Sequence, residues 1–325
     1  MTPGRSAMGS LNLEALSDCA ICPRACHVDR VHGKLGVCGT GAGFEIASVC
    51  LHRGEEPPLC GDTGICNVFF SRCNLRCAYC QNADISRNRG PILGREMRLE
   101  EAVAQIAAIL DRGTDLLGFV SPSHVIPQMR AIRAALVASG RAPTVVMNTN
   151  AYDRVETLAG LEGEVDVYLP DLKYLDRRLA ARLSGAADYP QVATAALREM
   201  YRQKGPRVDF DDRGLARNGL IVRHLVLPGQ VENSQRVLRF IARALSPEVH
   251  LSLMSQYHPT PAVADDAELG RGLYPEEYEA VLDEMDRLGF ENGWIQELDA
   301  SATYLPDFSR TDPFDAGPDE GALHR

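Results

Sequence analysis

Three cysteines with short, fixed spacings carry the clearest chemical signal in this sequence. They lie in the run Cys73-Asn-Leu-Arg-Cys77-Ala-Tyr-Cys80, directly after an apolar stretch. The C-x3-C-x2-C spacing lets one tight loop wrap three thiolates around an iron–sulfur cube, which normally takes four cysteine ligands. Three ligands would leave one iron with an open position, and open positions are where metal centres do chemistry. The spacing alone leaves a second interpretation, a closed zinc or iron site completed by another cysteine.

A second group of cysteines lies upstream and consists of Cys19, Cys22, Cys26 and Cys38. Four soft thiolates suit a closed tetrahedral zinc site or a second iron–sulfur cluster. A bound metal would also fold a segment that is rich in Gly and Cys and lacks an apolar core. Because four ligands leave no open position, a structural role is favoured, with unliganded thiols as the alternative. Cys50, Cys60 and Cys66 remain, and Cys50 or Cys60 could replace a ligand of the upstream group.

The distribution of the cysteines also indicates the class of protein. All ten fall between Cys19 and Cys80, and residues 81–325 contain none, whereas a disulfide-stapled secreted protein would be small and would spread them along the chain. The first residues lack the pattern of a signal peptide, and no apolar stretch approaches the roughly 18 residues of a membrane span. The net charge of −10 argues against sequence-independent nucleic-acid binding. We therefore expect a reduced, cytoplasmic protein whose thiols bind metal.

The apolar pattern that follows residue 66 predicts the scaffold for these cysteines. Strands alternate with amphipathic helices, and the six predicted strands are residues 67–71, 116–121, 144–150, 166–169, 220–227 and 249–257. This alternation implies a parallel sheet with right-handed crossovers. Six units are two short of a closed eight-fold barrel, so we predict an α/β fold with an open partial (β/α)6 barrel. Ligands are expected at the C-terminal edge of its strands.

Composition divides the chain into four predicted regions. Residues 1–15 are predicted to form a flexible arm, and residues 16–66 a Cys-rich, metal-ordered N-terminal extension without strand periodicity. Residues 67–290 form the predicted barrel. Residues 291–325 form a C-terminal extension whose last dozen residues have the polar, Gly- and Pro-rich composition of a disordered tail.

The cysteine loop and its β/α context resemble the radical S-adenosylmethionine (SAM) superfamily. From about residue 18 to 314 the sequence resembles, more narrowly, the pyruvate formate-lyase activating-enzyme-like group. The matching landmarks are Cys19-Ala-Ile-Cys22-Pro-Arg-Ala-Cys26, Gly36-Val-Cys38-Gly, Gly54-Glu-Glu-Pro57, Cys80-Gln-Asn82, Asp171-Leu-Lys173, Ser255-Gln-Tyr257-His258-Pro and Gly293-Trp-Ile-Gln296-Glu. The resemblance implies that Cys73, Cys77 and Cys80 hold a 4Fe–4S cluster whose open iron binds SAM. Reductive cleavage of SAM would then give a 5′-deoxyadenosyl radical that abstracts a hydrogen atom from a substrate.

The resemblance also implies a SAM site made of polar residues at strand ends. Asn148 and Asn150 end the third predicted strand, Asp171 and Lys173 follow the fourth, and His258 follows the sixth. For Lys173 the alternative is an ion pair with a neighbouring carboxylate such as Asp171.

Other ionisable residues near the predicted barrel allow more than one interpretation. Arg223 and His224 are consecutive in a strand, so one of them must face the interior, where a buried Arg needs an anionic partner. Glu55 and Glu56 have the character of a solvated acidic pair, although the resemblance suggests a place at the active-site rim. His124 lies where activating enzymes carry a Gly-Gly-Glu/Asp segment and is interpreted as a SAM-site residue, a helix cap or a surface residue.

The resemblance implies a one-electron reductant of the flavodoxin or ferredoxin type and a glycyl radical enzyme as the substrate. The extra cysteines precede the three-cysteine loop, whereas in activating enzymes they usually follow it. Radical modification of another peptide, a small molecule or a nucleic acid therefore stays open. A non-catalytic iron–sulfur, zinc or electron-carrier protein would explain the cysteines but not six β/α units with polar strand ends.

Overall fold

A ten-stranded sheet with helices packed against it organises the part of the chain that the computed structural model describes, residues 14–298 and 305–314. The strands are β1 (Phe44–His52), β2 (Ile65–Phe70), β3 (Arg95–Met97), β4 (Leu116–Val120), β5 (Thr144–Thr149), β6 (Val167–Pro170), β7 (Asp209–Phe210), β8 (Ala216–Leu225), β9 (His250–Met254) and β10 (Gly293–Ile295). The helices are α1 (Glu14–Ser17), α2 (Pro57–Cys60), α3 (Ala83–Ser86), α4 (Leu99–Leu110), α5 (Ile126–Ala138), α6 (Val155–Ala159), α7 (Arg177–Ser184), α8 (Tyr189–Lys204), α9 (Val231–Phe240) and α10 (Pro275–Arg287).

The order of strands across the sheet is β10-β9-β8-β6-β5-β4-β2-β1-β3, with β7 paired to β8. All neighbours from β10 to β2 run parallel, whereas β1 is antiparallel to both β2 and β3. In the described residues the two outer strands, β3 and β10, do not pair with each other, so the barrel is open. The predicted α/β fold with an open, mostly parallel sheet is confirmed, and all six predicted strands are present.

Apolar side chains cover both faces of the central strands and form the core of the protein. Every residue of β4 is buried, as expected for a parallel strand covered on both sides. Ala102 and Ile106 are fully buried on one face of α4 and pack into the main core. Truncating Ile106 to Ala should therefore cost about 2–5 kcal/mol of stability.

Strand β1 corrects the prediction that residues 16–66 have no regular strand. It pairs with β2 from Ile46 opposite Phe70 to His52 opposite Ile65, so the sheet extends across the predicted boundary at residue 66. Buried and partly buried positions alternate from Phe44 to Cys50. The pattern was hidden because Ala, Ser and Cys occupy positions where larger apolar residues usually mark a strand.

Both ends of the chain extend beyond the described residues. Helix α1 begins at Glu14, within the predicted arm of residues 1–15, and the rest of that arm lies outside the described part. Strand β10 shows that the C-terminal extension contributes to the sheet, while the predicted disordered tail lies outside the described residues from residue 315 onward. Over the described residues, no helix combines the length and the apolar character required to cross a bilayer.

Candidate active site

The three-cysteine loop leaves β2 through a sharp backbone turn and folds onto the end of a helix. Arg72 has a left-handed φ of 67°, a conformation that a non-glycine residue adopts only where the fold imposes it. Beyond it, the N–H groups of Arg76 and Ala78 donate to the carbonyl oxygens of Ser184 and Leu183 at 3.1 and 2.8 Å. The last carbonyls of a helix lack partners within the helix. The C-terminal end of α7 therefore anchors the loop.

The three cysteines of this loop line one pocket, and each sulfur lies within hydrogen-bond distance of a neighbouring group. Cys73, Cys77 and Cys80 all line the pocket, and Cys73 Sγ accepts from Leu75 N and Asn150 Nδ2, both at 3.4 Å. The Oγ atoms of two serines lie 3.0 Å from Cys77 Sγ and 3.2 Å from Cys80 Sγ. Hydrogen bonds to the sulfurs are one of the means by which proteins tune iron–sulfur clusters.

Burial disfavours the ionised form of two of these thiols. It raises the pKa of Cys73 to about 12, and the nearby Cys77 adds to the effect. Burial also raises the pKa of Cys77 to about 11, against the opposing influence of Lys173. In the part of the chain described, no three His, Cys, Asp or Glu side chains are arranged as ligands of one metal ion. A cubane cluster does not require that arrangement, since each cysteine binds a different iron. Three pocket-facing sulfurs with hydrogen-bonding neighbours fit such a cluster.

A chain of charged and amide groups crosses the same pocket. Asp171 receives the Lys173 ammonium on Oδ2 at 2.8 Å and the Arg223 Nε on Oδ1 at 2.7 Å. Arg223 also donates from Nη2 to Asn148 Oδ1 at 2.8 Å, and its Nη1 lies 3.4 Å from Glu55 Oε2. Burial alone would raise the pKa of Asp171, but Arg223 and Lys173 together hold it below its ordinary value. The carboxylate is therefore ionised at neutral pH.

Residues 67–241 match the family model described as the radical SAM superfamily. This segment runs from β2 to the residue after α9. The chain belongs to the radical SAM superfamily. Members of this family are enzymes that use a 4Fe–4S cluster and SAM. The match covers more than half of the chain and contains the three-cysteine loop together with Asn148, Asp171 and Lys173.

The radical SAM chain is also similar to individual proteins. It is 27% identical over 270 residues to the uncharacterized protein MJ0674 of Methanocaldococcus jannaschii. The aligned region covers 82% of this chain and 73% of that protein. Its fold is similar to that of Streptococcus suis SuiB bound to S-adenosylmethionine, with 13% identity, a TM-score of 0.46 and coverage of 70% of this chain and 48% of SuiB. Native anSMEcpe with bound AdoMet gives 14% identity, a TM-score of 0.46 and coverage of 69% and 61%. The chain thus spans about half to three fifths of these solved structures.

Four of the five residues predicted for the SAM site line the pocket together with the three cysteines of the loop: Asn148, Asn150, Asp171 and Lys173. The alternative for Lys173, an ion pair with Asp171, is present as well, so the pair itself faces the pocket. His258 differs, because it is exposed and lies outside the described lining of the pocket. The strand end before it does reach the cluster loop, since Gln81 Nε2 donates to the Gln256 carbonyl at 2.8 Å. A SAM contact by His258 stays a prediction.

Arg223 and His224 are consecutive in β8, and their side chains lie on opposite sides of the strand. Arg223 faces the pocket, while His224 is buried on the other side, with its ring nitrogens 2.7 Å from the Leu172 carbonyl and 2.9 Å from Ser234 Oγ.

His124 is buried too, and its Nε2 donates to the carbonyl of Ser71 at 3.0 Å. Burial lowers the pKa of His124 to about 4. It is therefore a neutral residue that supports the cluster loop, and the helix-cap and surface interpretations are wrong.

The interpretation of Glu55 and Glu56 as a solvated pair is also wrong. The Glu55 side chain is 10% exposed and accepts from Asn67 Nδ2 at 2.9 Å. Glu56 is buried, and desolvation raises its pKa. Both residues lie between β1 and α2, and of the two only Glu55 lines the pocket.

Sequence reasoning missed the C-terminal residues that cover part of this pocket. Phe314 lies on the ring of His52 with centroids 4.0 Å apart, and Phe308 meets Phe69 edge-on at 5.3 Å. Both His52 and Phe314 line the pocket. Two phenylalanines in a polar, Pro-containing stretch were the available signal, since such side chains rarely occur in a tail that contacts nothing.

Proposed function

We propose that Cys73, Cys77 and Cys80 hold the 4Fe–4S cluster of this radical SAM enzyme, and that the pocket beside them binds SAM and the substrate. The observation that carries the proposal is that the three sulfurs and the Asp171–Lys173–Arg223 network line one pocket. When bound and reduced, the cluster supplies the electron that splits SAM into methionine and a 5′-deoxyadenosyl radical, which then takes a hydrogen atom from the substrate.

The chain's own residues bind and orient the cofactor. SAM carries a carboxylate, an ammonium group, a sulfonium and ribose hydroxyls, and therefore needs both donors and acceptors. The charge of Lys173 acts on both Cys73 and Cys77, so this cation lies beside the three-cysteine loop, and we assign it to the SAM carboxylate. Asn148 and Asn150 offer amides, and Asp171 offers an ionised acceptor for a hydroxyl or ammonium group. His258 would join this set only if its loop moved inward.

Residues on the other side of Arg223 are assigned to the substrate. Glu55 and His52 line the pocket but were not part of the predicted SAM set, and Glu55 is separated from Asp171 by the Arg223 guanidinium. The pocket thus has a second polar surface besides the predicted SAM residues. Phe314, which contacts His52, and Pro306 also line the pocket, and they would limit the access of water to a radical.

For the substrate we favour a glycine residue of a partner glycyl radical enzyme, because the landmarks of the sequence resemble activating enzymes over nearly the whole chain. The electron would come from a flavodoxin- or ferredoxin-type protein. Ten unpaired cysteines are compatible with work in a reducing cytoplasm. A different peptide, a small molecule or a nucleic acid is the alternative substrate. Anaerobic incubation of the reduced chain with SAM and a candidate substrate distinguishes them, because only a glycyl radical enzyme would give a stable protein radical.

The activity is tested by anaerobic reconstitution with iron and sulfide, reduction with dithionite, addition of SAM and measurement of 5′-deoxyadenosine. We expect 5′-deoxyadenosine from the unaltered chain and none from Cys73→Ala. Cys60→Ala is the matched control, because Cys60 is buried outside the pocket lining and its loss should leave the product unchanged. Equal, background-level product from the unaltered chain and Cys73→Ala would exclude the proposed activity.

A further inference from the structure

The four upstream cysteines are gathered by the backbone into one small unit. Cys19 N donates to the Val28 carbonyl and His27 N to the Cys19 carbonyl, both at 3.0 Å, which closes the first cysteines into a loop. The N–H of Val37 donates to Cys26 Sγ at 3.3 Å and so places the loop that carries Cys38 against Cys26. Burial raises the pKa of Cys22 to about 12, and Cys38, Cys19 and Cys26 add to it because they lie nearby.

Hydrogen-bond donors point at two of these four sulfurs. The Val37 N–H is directed at Cys26 Sγ, and Arg30 Nη1 lies 3.6 Å from Cys19 Sγ. Hydrogen bonds to ligating atoms are among the contacts by which proteins orient the ligands of a metal.

The buried side chain of Arg30 holds the Cys19 sulfur in this unit. It is only 2% exposed, and its other hydrogen bonds in the described structure go to the carbonyl oxygens of Gly41 and His124. No carboxylate is among these partners, so the Cys19 sulfur is the one side-chain atom among them, and Arg30 joins it to the backbone at Gly41 and His124.

The remaining cysteines behave differently. Cys60 Sγ donates to the Glu55 carbonyl at 3.3 Å, which requires a protonated thiol. Cys50 packs in an apolar cluster with Phe69, Val120 and Phe308, and Cys66 is fully buried in the main core. Neither Cys50 nor Cys60 therefore replaces a member of the upstream group.

Gly36 allows the two parts of the unit to approach each other. A Cβ atom at this position would lie 2.8 Å from Cys26 Sγ, a distance at which the sulfur has to move. Glycine at position 36 therefore leaves the room that the Cys26 sulfur occupies.

We propose that Cys19, Cys22, Cys26 and Cys38 bind one tetrahedral zinc ion, and that this zinc centre positions the cluster loop Cys73–Cys80. Four thiolates complete the coordination of zinc and leave no open position. In the described residues no three of these thiols stand at the spacing of ligands around one ion. Zinc binding would therefore require their side chains to rotate and to lose the thiol protons. The second part of the proposal, the positioning of the cluster loop, rests on the function proposed above.

The first connection between the two loops is Arg24, which lies between Cys22 and Cys26 in the sequence. Its Nε donates to the carbonyl oxygen of Asn74, inside the cluster loop, at 2.8 Å. The fully buried side chain of Asn74 in turn accepts from Asn150 Nδ2 at 2.9 Å, and Asn150 also donates to Cys73 Sγ. One hydrogen-bonded path thus runs from the zinc loop to a cluster sulfur.

The second connection is Asn88. Its Nδ2 donates to the Val37 carbonyl, next to Cys38, at 2.9 Å and to the Cys73 carbonyl at 2.7 Å. One amide group therefore holds the end of the zinc unit and the first cluster ligand together. Arg24 and Asn88 are positioning residues, because in the described structure neither lines the pocket.

The zinc ion is tested in a chain that cannot hold the proposed cluster, with Cys73, Cys77 and Cys80 all changed to Ala. We expect about one zinc per chain and no sulfide. Adding Cys22→Ser should remove the zinc, whereas adding Cys60→Ser as the matched control should retain it. An absence of zinc, or iron with sulfide in its place, would overturn the zinc centre, and this result does not depend on whether the enzyme cleaves SAM.

The positioning role is tested with Arg24→Ala and Asn88→Ala in the reconstituted chain that retains all its cysteines. Both variants should keep their zinc but lose cluster iron to a chelator about 10-fold faster, the range expected when groups that support metal ligands are removed. Arg76→Ala is the control, since this exposed side chain belongs to the cluster loop itself. Iron loss at the rate of Arg76→Ala, with zinc retained, would overturn the connection between the two centres.

Discussion

The Nε atom of Arg223 lies 2.7 Å from Oδ1 of Asp171, across neighbouring parallel strands and inside the pocket that Cys73, Cys77 and Cys80 line. The two residues also form a backbone bridge at the C-terminal end of the sheet. This pair joins the predicted SAM residues to Glu55, which lies on the other side of the guanidinium.

Changing Arg223 to Met should destabilise the fold strongly. It would leave Asp171 and Glu55 buried without their shared cation, and breaking a buried pair from one side costs about 3–5 kcal/mol. Urea unfolding of the two proteins measures the difference. Arg207→Met is the control, because the Arg207–Glu248 pair is 80% and 54% exposed and should be worth less than about 1 kcal/mol. Equal losses in the two variants would contradict the buried network.

Changing Lys173 to Gln should weaken SAM binding without unfolding the protein. A hydrogen bond to a charged group contributes about 1.5–3 kcal/mol, so the Kd should rise about 10- to 100-fold. Equilibrium dialysis with labelled SAM on reconstituted protein gives the value. Lys204→Gln is the control, since Lys204 bonds Asn218 and is not among the described pocket residues. An unchanged Kd for Lys173→Gln would leave only the ion-pair role.

His258→Ala decides between the position of this residue in the structure and its predicted contact. Because the side chain is exposed and outside the pocket lining, the SAM contact requires its loop to close over the cofactor. If the contact forms, the variant should bind SAM about 10-fold more weakly with unchanged stability in the absence of SAM. The same dialysis measures it, and a Kd equal to that of the unaltered chain would remove His258 from the site.

Glu277 should make stability depend on pH in a defined direction. Hydrogen bonds from Arg271 lower the pKa of Glu277 from 4.5 to about 2. A depressed pKa contributes stability above pH 4.5, and this contribution is lost as the pH falls toward 2. Glu277→Gln should therefore cost about 1–2 kcal/mol at pH 7, discounted for partial exposure.

The cost of Glu277→Gln should shrink as the pH falls below about 4.5, which urea unfolding at pH 7 and pH 4 measures. Glu276→Gln is the control, an exposed carboxylate in the same first turn of α10. A Glu277→Gln effect that is as small as that of Glu276→Gln at pH 7, or independent of pH, would contradict this account.

The parts of the site that sequence reasoning found are local in the chain. The three-cysteine spacing and the polar ends of predicted strands need only a few neighbouring residues to be recognised, and parallel strands bring their ends to one edge of the sheet. Asn148, Asp171 and Lys173 reached one pocket for this reason.

The parts that it missed are contacts between distant segments. Glu55 and Arg223 are 168 residues apart in sequence, and nothing near Glu55 indicates that a guanidinium balances its charge. His52 and Phe314 meet across most of the chain. Arg24 and Asn74 belong to two cysteine motifs that sequence spacing alone treats as separate sites.

The central claim is that three cysteines hold a cluster whose fourth iron is open to SAM, and electron paramagnetic resonance tests it most directly. The reconstituted, dithionite-reduced chain should give the signal of a reduced 4Fe–4S cluster, and adding SAM should change its shape because SAM binds the open iron. The variant with Cys73, Cys77 and Cys80 changed to Ala should lack the signal. A signal that SAM leaves unchanged, or one that persists in the triple variant, would contradict the account.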